Sequence, residues 1–251
     1  MNTKSVTLLR STLIVVLLAA FVLVGCSGNG PALPEGTIVG SGKAANEGRE
    51  VTGFTSVVLE APGYLTISQG DVESLTVQAE DNIIPLITTE VVDGVLTIGV
   101  KPNINMKTNN MISYTLTVKD LASIENLGSG YVSISGLTTT DLTYKSSGSG
   151  NLKLTGLDAK SVKLDLVGSG SADVRGAADS LTLMLTGSGN FAGASFVVAN
   201  ADVSSTGSGT ASINASAKLN VSITGSGSVE YSGAPELTKN ITGSGTLNLA
   251  D

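Results

Sequence analysis

The chain contains no histidine and no tryptophan, and a single cysteine among 251 residues. Without histidine, Ser-His-Asp and Cys-His catalysis are excluded, as are zinc sites that need an imidazole. A lone cysteine forms no disulfide within the chain, so stability rests on packing. Only 14% of residues are charged, 14 basic against 21 acidic, for a formal net charge of −7. Gripping a phosphate backbone needs clustered Lys and Arg, so nucleic acid is excluded as a partner. Aromatics are scarce as well, with five Tyr and four Phe, which leaves few platforms for stacking a sugar ring.

What the chain has in abundance is glycine, and the glycines are periodic. Gly-Ser-Gly returns seven times, framed by Gly128 and Gly130, Gly148 and Gly150, Gly168 and Gly170, Gly187 and Gly189, Gly207 and Gly209, Gly225 and Gly227, and Gly243 and Gly245. The spacing is 18–20 residues. A fixed period near twenty is the signature of a solenoid, in which each repeat is one coil stacked on its neighbours. Within a repeat the period is two. After each tripeptide, apolar residues form the columns Val132, Leu152, Ala172, Phe191, Ala211, Val229, Leu247 and Ile134, Leu154, Val174, Gly193, Ile213, Tyr231, Leu249. Polar residues alternate with them, the pattern of a half-buried strand. A second strand precedes each tripeptide, with columns headed by Leu142 and Tyr144. Gly-Ser-Gly is the corner between the two strands, and Gly136, Gly156, Gly176 and Gly233 mark a second corner. A propeller blade needs about 40 residues per repeat, and an antiparallel meander would not stack equivalent positions. The predicted fold is all-β, a parallel β-helix. A single coil buries too few apolar side chains to offset the ordering of about twenty residues, so coils are stable only as a stack.

At the other end of the chain, Lys4 and Arg10 precede the apolar run 11–25 (STLIVVLLAAFVLVG). A basic segment, a short apolar core and then Leu23-Val24-Gly25-Cys26 read as a signal peptide, residues 1–25, ending at a motif that resembles the bacterial lipobox. Cys26 is then the lipidated residue and the anchor in a membrane, on the extracytoplasmic side; two or more acyl chains make such an anchor stable. Ser27 permits export to an outer membrane if the host has one. Residues 26–49, rich in Gly, Pro and Ala, read as the acylated cysteine and a flexible tether. Residues 50–127 form a less regular part that caps the solenoid. Its Ala61-Pro62-Gly63 followed by YLTIS echoes Gly128-Ser129-Gly130 followed by YVSIS, which predicts a degenerate first coil. ESLTVQAED, residues 73–81, matches the second strand, and Asp93-Gly94 turns residues 83–100 into an inserted hairpin. Residues 128–251 are the regular coils.

Arg49 with Phe54, ISQGD at residues 67–71, Glu80-Asp81-Asn82, and Asp93-Gly94 leading into LTIG, followed by the Gly-Ser-Gly coils, resemble the family of putative auto-transporter adhesins with a head GIN domain. The resemblance covers residues 40–251. It implies a right-handed β-helix on a secreted or lipid-anchored protein of the bacterial cell envelope, and it carries over no catalytic residue.

No cofactor or metal is expected. Asp71, Glu73, Glu80, Asp81 and Asp93 suggest calcium only loosely, since their spacing fits neither an EF-hand nor a nonapeptide calcium repeat, and they read as solvated turns. A glycosidase needs two carboxylates about 5–9.5 Å apart. Instead Lys153 is expected beside Asp173, and Lys145 beside Asp165, as neutralised surface pairs. The expectation is therefore a non-enzymatic adhesion, binding or structural module, with a carbohydrate-active enzyme as the competing class. The outward column Tyr131, Asn151, Ser171, Asn190, Thr210, Ser228, Thr246 offers hydrogen bonds to a surface glycan or a protein. Lys239 interrupts an apolar column in the final coil, a charge that discourages edge pairing, and self-association through that end stays open.

Overall fold

The structure, a computed structural model, describes residue 34 and residues 36–250. The signal segment 1–25 and Cys26 lie outside the described residues. Strands β1 (Ile38–Val39), β2 (Ala44–Arg49), β3 (Ser56–Leu59), β4 (Tyr64–Gln69) and β5 (Ser74–Glu80) come first. A 3₁₀ turn at Ile84–Leu86 leads to β6 (Ile87–Val92) and β7 (Val95–Val100), then β8 (Met106–Lys107), β9 (Ser113–Val118) and β10 (Ser123–Asn126). The long strands are β11 (Tyr131–Gly148), β12 (Asn151–Gly168), β13 (Ser171–Gly187), β14 (Asn190–Gly207) and β15 (Thr210–Gly225). The last are β16 (Ser228–Ser232), β17 (Glu236–Gly243) and β18 (Thr246–Leu249). Together they make an all-β solenoid of about six turns, stacked in parallel.

The register follows the repeat. Val132, Leu152, Ala172, Phe191, Ala211 and Val229 are successive ladder partners, and each is buried. Leu142, Val162, Leu181, Ala201 and Leu219 form the equivalent column before the corner. Between the two strands of each coil the structure adds a short third ladder, in which Leu137, Leu157, Gly176 and Phe196 are partners. Differences in coil length are absorbed beside it, as register shifts between Leu154 and Leu157, Asp173 and Gly176, and Ala192 and Val197. Gly193 interrupts its apolar column because the Phe191 ring fills the space, 2.3 Å from where a Cβ would stand.

At the tripeptides, backbone approaches backbone. A Cβ on Gly168, where φ is 116°, would lie 2.2 Å from the Gly148 carbonyl oxygen. A Cβ on Gly170 would lie 2.2 Å from the carbonyl oxygen of Gly150. Only glycine takes the first conformation without strain, and only glycine lets either corner sit this close to the coil before it. The Ser169 amide then donates to Gly148 O at 2.9 Å, closing the corner with a main-chain bond.

The first part departs from a sequential stack. β4 is the register partner of β11, Tyr64 to Tyr131 through Ser68 to Ser135. β3 pairs with β10 on one side and β7 on the other, and β4 likewise lies between β11 and β9. The first coil in sequence is thus sandwiched between two later ones. β7 belongs to this stack, so only β6 of the hairpin stands outside it, antiparallel to β7 about Asp93 and Gly94. Two expectations need correction. Residues 74–80 do not take the second-strand position, because they run antiparallel to β9. Nor is the whole of 26–49 a tether: β2 pairs antiparallel with β5 and β1 pairs with β8. An edge strand is held by main-chain hydrogen bonds, so a sequence such as AANEGR needs no apolar alternation, and its charges suit an edge. Among the described residues no helix is long and apolar enough to cross a membrane.

Candidate functional site

The outward column beside the tripeptide corner carries the most distinctive surface. Inward-facing Leu65 and Val132 force their neighbours Tyr64 and Tyr131 outward. Because β4 and β11 are ladder partners, the two rings stack, with centroids 4.9 Å apart and planes 27° from parallel. Tyr64 keeps 44% of its surface exposed. The pair stands in a cleft of about 430 Å³ that reaches from Met106 and Met111, on the segment around β8, across to Ser129 and Asn151. None of the residues that line it is charged.

Beyond the tyrosines the column is joined in pairs. Asn151 Oδ1 accepts from the Ser171 amide at 3.1 Å and from its hydroxyl at 2.6 Å. Asn190 Oδ1 accepts from Thr210 Oγ1 at 2.5 Å, and the Ser228 and Thr246 hydroxyls lie 2.9 Å apart. Much of the hydrogen-bonding capacity expected of this face is therefore spent between coils. The Asn151 amide nitrogen has no partner among the described residues. A second concavity, about 420 Å³, lies on the outer side of the strands before the corner, bounded by Thr182, Met184, Asp202, Ser204 and Asn220. There Asn220 donates to Asp202 at 2.6 Å.

The acidic residues singled out from the sequence are dispersed. Glu73 accepts from the Gly53 amide at 3.0 Å, and Asp93 sits in the β6–β7 turn. Asp81 accepts from the Ser41 hydroxyl. Glu80 is no solvated turn residue: it is buried, and its carboxylate occupies the place of a side chain on Gly40. Burial alone would raise its pKa. Donation from the Gly42 amide at 2.8 Å, from the Asn109 amide at 3.1 Å and from the Asn109 side chain outweighs that and holds the carboxyl below its ordinary value. Asn82 completes this knot by accepting from the Ser41 amide and donating to Val39 O, both at 2.8 Å. Among the described residues no group of three or more acidic, Cys or His side chains converges on a metal position. Lys153 and Asp173, and Lys145 and Asp165, are register partners. The expected neutralisation of Asp173 by Lys153 is nevertheless replaced, because Arg175, two residues along the same face, holds Asp173 through two contacts at 3.1 and 3.2 Å.

Sequence reasoning noted the YLTIS and YVSIS echo but not its result, an aromatic pair made from residues far apart in the chain. It also overlooked Gln69, whose side chain binds both the Thr138 amide and carbonyl and the Lys119 carbonyl, in the manner of a strand backbone.

Fold and surface define a β-solenoid that presents an uncharged aromatic cleft and a hydrogen-bonded polar column. The chain belongs to the family described as putative auto-transporter adhesin, head GIN domain, whose model matches residues 53–235. It is similar to the crystal structure of a putative adhesin from Bacteroides fragilis, with 26% identity and a TM-score of 0.82 over 85% of this chain and all of that one. A putative lipid binding protein from Parabacteroides distasonis shares the fold at 22% identity and a TM-score of 0.73, over 86% of this chain and all of that one. So does a putative adhesin from Parabacteroides merdae, at 18% identity and 0.70, over 86% of this chain and 99% of that one. No curated protein matched the sequence.

Proposed function

We propose that the protein is a non-enzymatic binding module of the bacterial cell envelope, held through lipidated Cys26 on the extracytoplasmic side of a membrane. The observation that carries the reading is the exposed cleft around Tyr64 and Tyr131, which has surface for contact but no charged group to move a proton or stabilise an ion. The adhesin descriptions of the family and of the Bacteroides fragilis structure support it. The competing reading, a lyase or glycosidase, requires converging carboxylates or a cation beside a base. Arg175 answers Asp173 instead.

The test is to incubate the full-length chain with neutral and acidic polysaccharides, measuring both retention on the polymer and release of reducing or unsaturated ends. Retention without product is expected, and catalytic turnover on any polymer would overthrow the reading. Incorporation of labelled palmitate into wild type but not into Cys26→Ser tests the anchor, and equal labelling of the two would remove it.

A further inference from the structure

We infer that the Tyr64–Tyr131 cleft is a subsite for a neutral carbohydrate, an inference that rests on the binding-module reading and narrows it to a ligand class. Three features select this ligand. The first is the pair of tyrosines, with ring centroids 4.9 Å apart and Tyr64 44% exposed to solvent. Stacking covers one face of each ring; Tyr131 has Asn151 as its ladder partner on the other side, whereas Tyr64 has only the small Ser113 beyond it and keeps the exposed aromatic surface. An aromatic face carries negative charge density, which attracts the weakly positive C–H bonds on the face of a pyranose.

The second is the mixed rim. Met106 and Met111 supply adaptable apolar contact on one side, Met111 with 64% of its surface exposed. On the other side are Ser129 and Asn151. Asn151 Oδ1 is already engaged by Ser171, which fixes the amide plane and presents its N–H₂ as a preset donor. A sugar hydroxyl is the acceptor that complements it. The third is the lack of charge in the lining, which offers no counter-ion to a phosphate or a uronate. At about 430 Å³ the cleft falls within the ~300–1,000 Å³ of small-molecule sites.

An acyl chain is the other apolar ligand to weigh. It requires a site that excludes water along its length. Here Tyr64 and Met111 stand in solvent, and the far rim is hydrogen-bonding. The observations favour the sugar.

The chain is suited to direct measurement because it has five tyrosines and no tryptophan, so its intrinsic emission is tyrosine emission. Full-length protein is titrated with neutral hexose oligomers (gluco-, manno- and galacto-hexaoses), with oligogalacturonate and with phosphatidylcholine vesicles, following emission and calorimetric heat. At least one neutral oligomer is expected to bind, with oligogalacturonate and vesicles inert. Tyr64→Leu, which preserves apolar cover without an aromatic face, is expected to weaken binding roughly ten- to thirtyfold while leaving the melting temperature near wild type. Tyr64→Phe is expected to bind within about threefold of wild type. Binding that survives Tyr64→Leu unchanged, or a preference for oligogalacturonate or vesicles, overturns the subsite. So does silence of every neutral oligomer at roughly millimolar concentration. If the protein is still retained on a polysaccharide in any of these cases, the subsite falls and the wider binding reading stands.

Discussion

Replacing glycine by alanine at Gly136, Gly170 and Gly168 separates two demands that a solenoid corner makes. Gly136 has φ at 66° and no atom within 4 Å of an added Cβ, so Gly136→Ala meets only the left-handed penalty, about 1–2 kcal/mol. Gly170 is not in the positive-φ region, but its Cβ would stand 2.2 Å from Gly150 O. Gly170→Ala must therefore push two coils apart, and comparable overpacking costs about 1–3 kcal/mol. Gly168 carries both burdens, with φ at 116° and the Gly148 oxygen at 2.2 Å. Conformational strain adds about 1–3 kcal/mol to a similar steric cost, so Gly168→Ala should lose roughly 2–6 kcal/mol. Gly168→Ala is predicted to lose more than either Gly136→Ala or Gly170→Ala, each of which carries one burden alone. Urea unfolding followed by far-ultraviolet circular dichroism measures it, with unchanged m-values showing that stability alone has moved. A wild-type midpoint for Gly170→Ala would refute the close-approach argument. Equal losses at Gly136 and Gly168 would refute the separation of the two effects.

Other perturbations probe the core, the first part and the last strands. Leu183 is fully buried, so Leu183→Ala should cost about 2–5 kcal/mol, whereas outward Thr182→Asn should stay within about 0.5 kcal/mol; matching thermal midpoints would put the register wrong. The folded-state pKa of Glu80 is depressed, so its stabilisation is present above the ordinary value of 4.5 and is lost as pH falls through the lower folded value. Amide exchange at β2 should therefore accelerate in acid for wild type and be fast and pH-independent, after correction for intrinsic exchange, in Glu80→Gln. An acid response surviving in Glu80→Gln would assign it to another group. Lys239, on β17, is the register partner of Val221 on β15, and neither β17 nor β18 has a strand on its outer side among the described residues. Lys239→Val should promote end-to-end oligomers in sedimentation velocity, and a variant sedimenting like wild type would show that this lysine is no guard.

The regular coils were legible because their stack is sequential, so that Val132, Leu152 and Ala172 could be aligned by counting. The third ladder was harder to see, since it is short and the register slips just before Gly176 and Val197. The first part hid its order because β3 and β4 are inserted between strands that come later in the chain, and local periodicity carries no information about stacking order. The same interleaving makes the aromatic cleft. Tyr64 and Tyr131 each read as a single outward tyrosine after a glycine corner, and only the β4–β11 pairing turns two scarce aromatics into a platform. Glu80 was misjudged for a related reason. An acidic Glu-Asp-Asn run looks solvated, yet the amides of Gly42 and Asn109 reach it from distant segments and satisfy its charge inside.

The most direct test of an anchored binding module uses cells that carry the wild-type chain, the Cys26→Ser chain or neither, compared under flow on glycan-coated and protein-coated surfaces. The account predicts that wild-type cells are retained on at least one surface, and that Cys26→Ser cells are retained no better than cells without the chain, with the protein recovered apart from the membrane fraction. Equal retention of all three, or Cys26→Ser protein still fractionating with membranes, would contradict it.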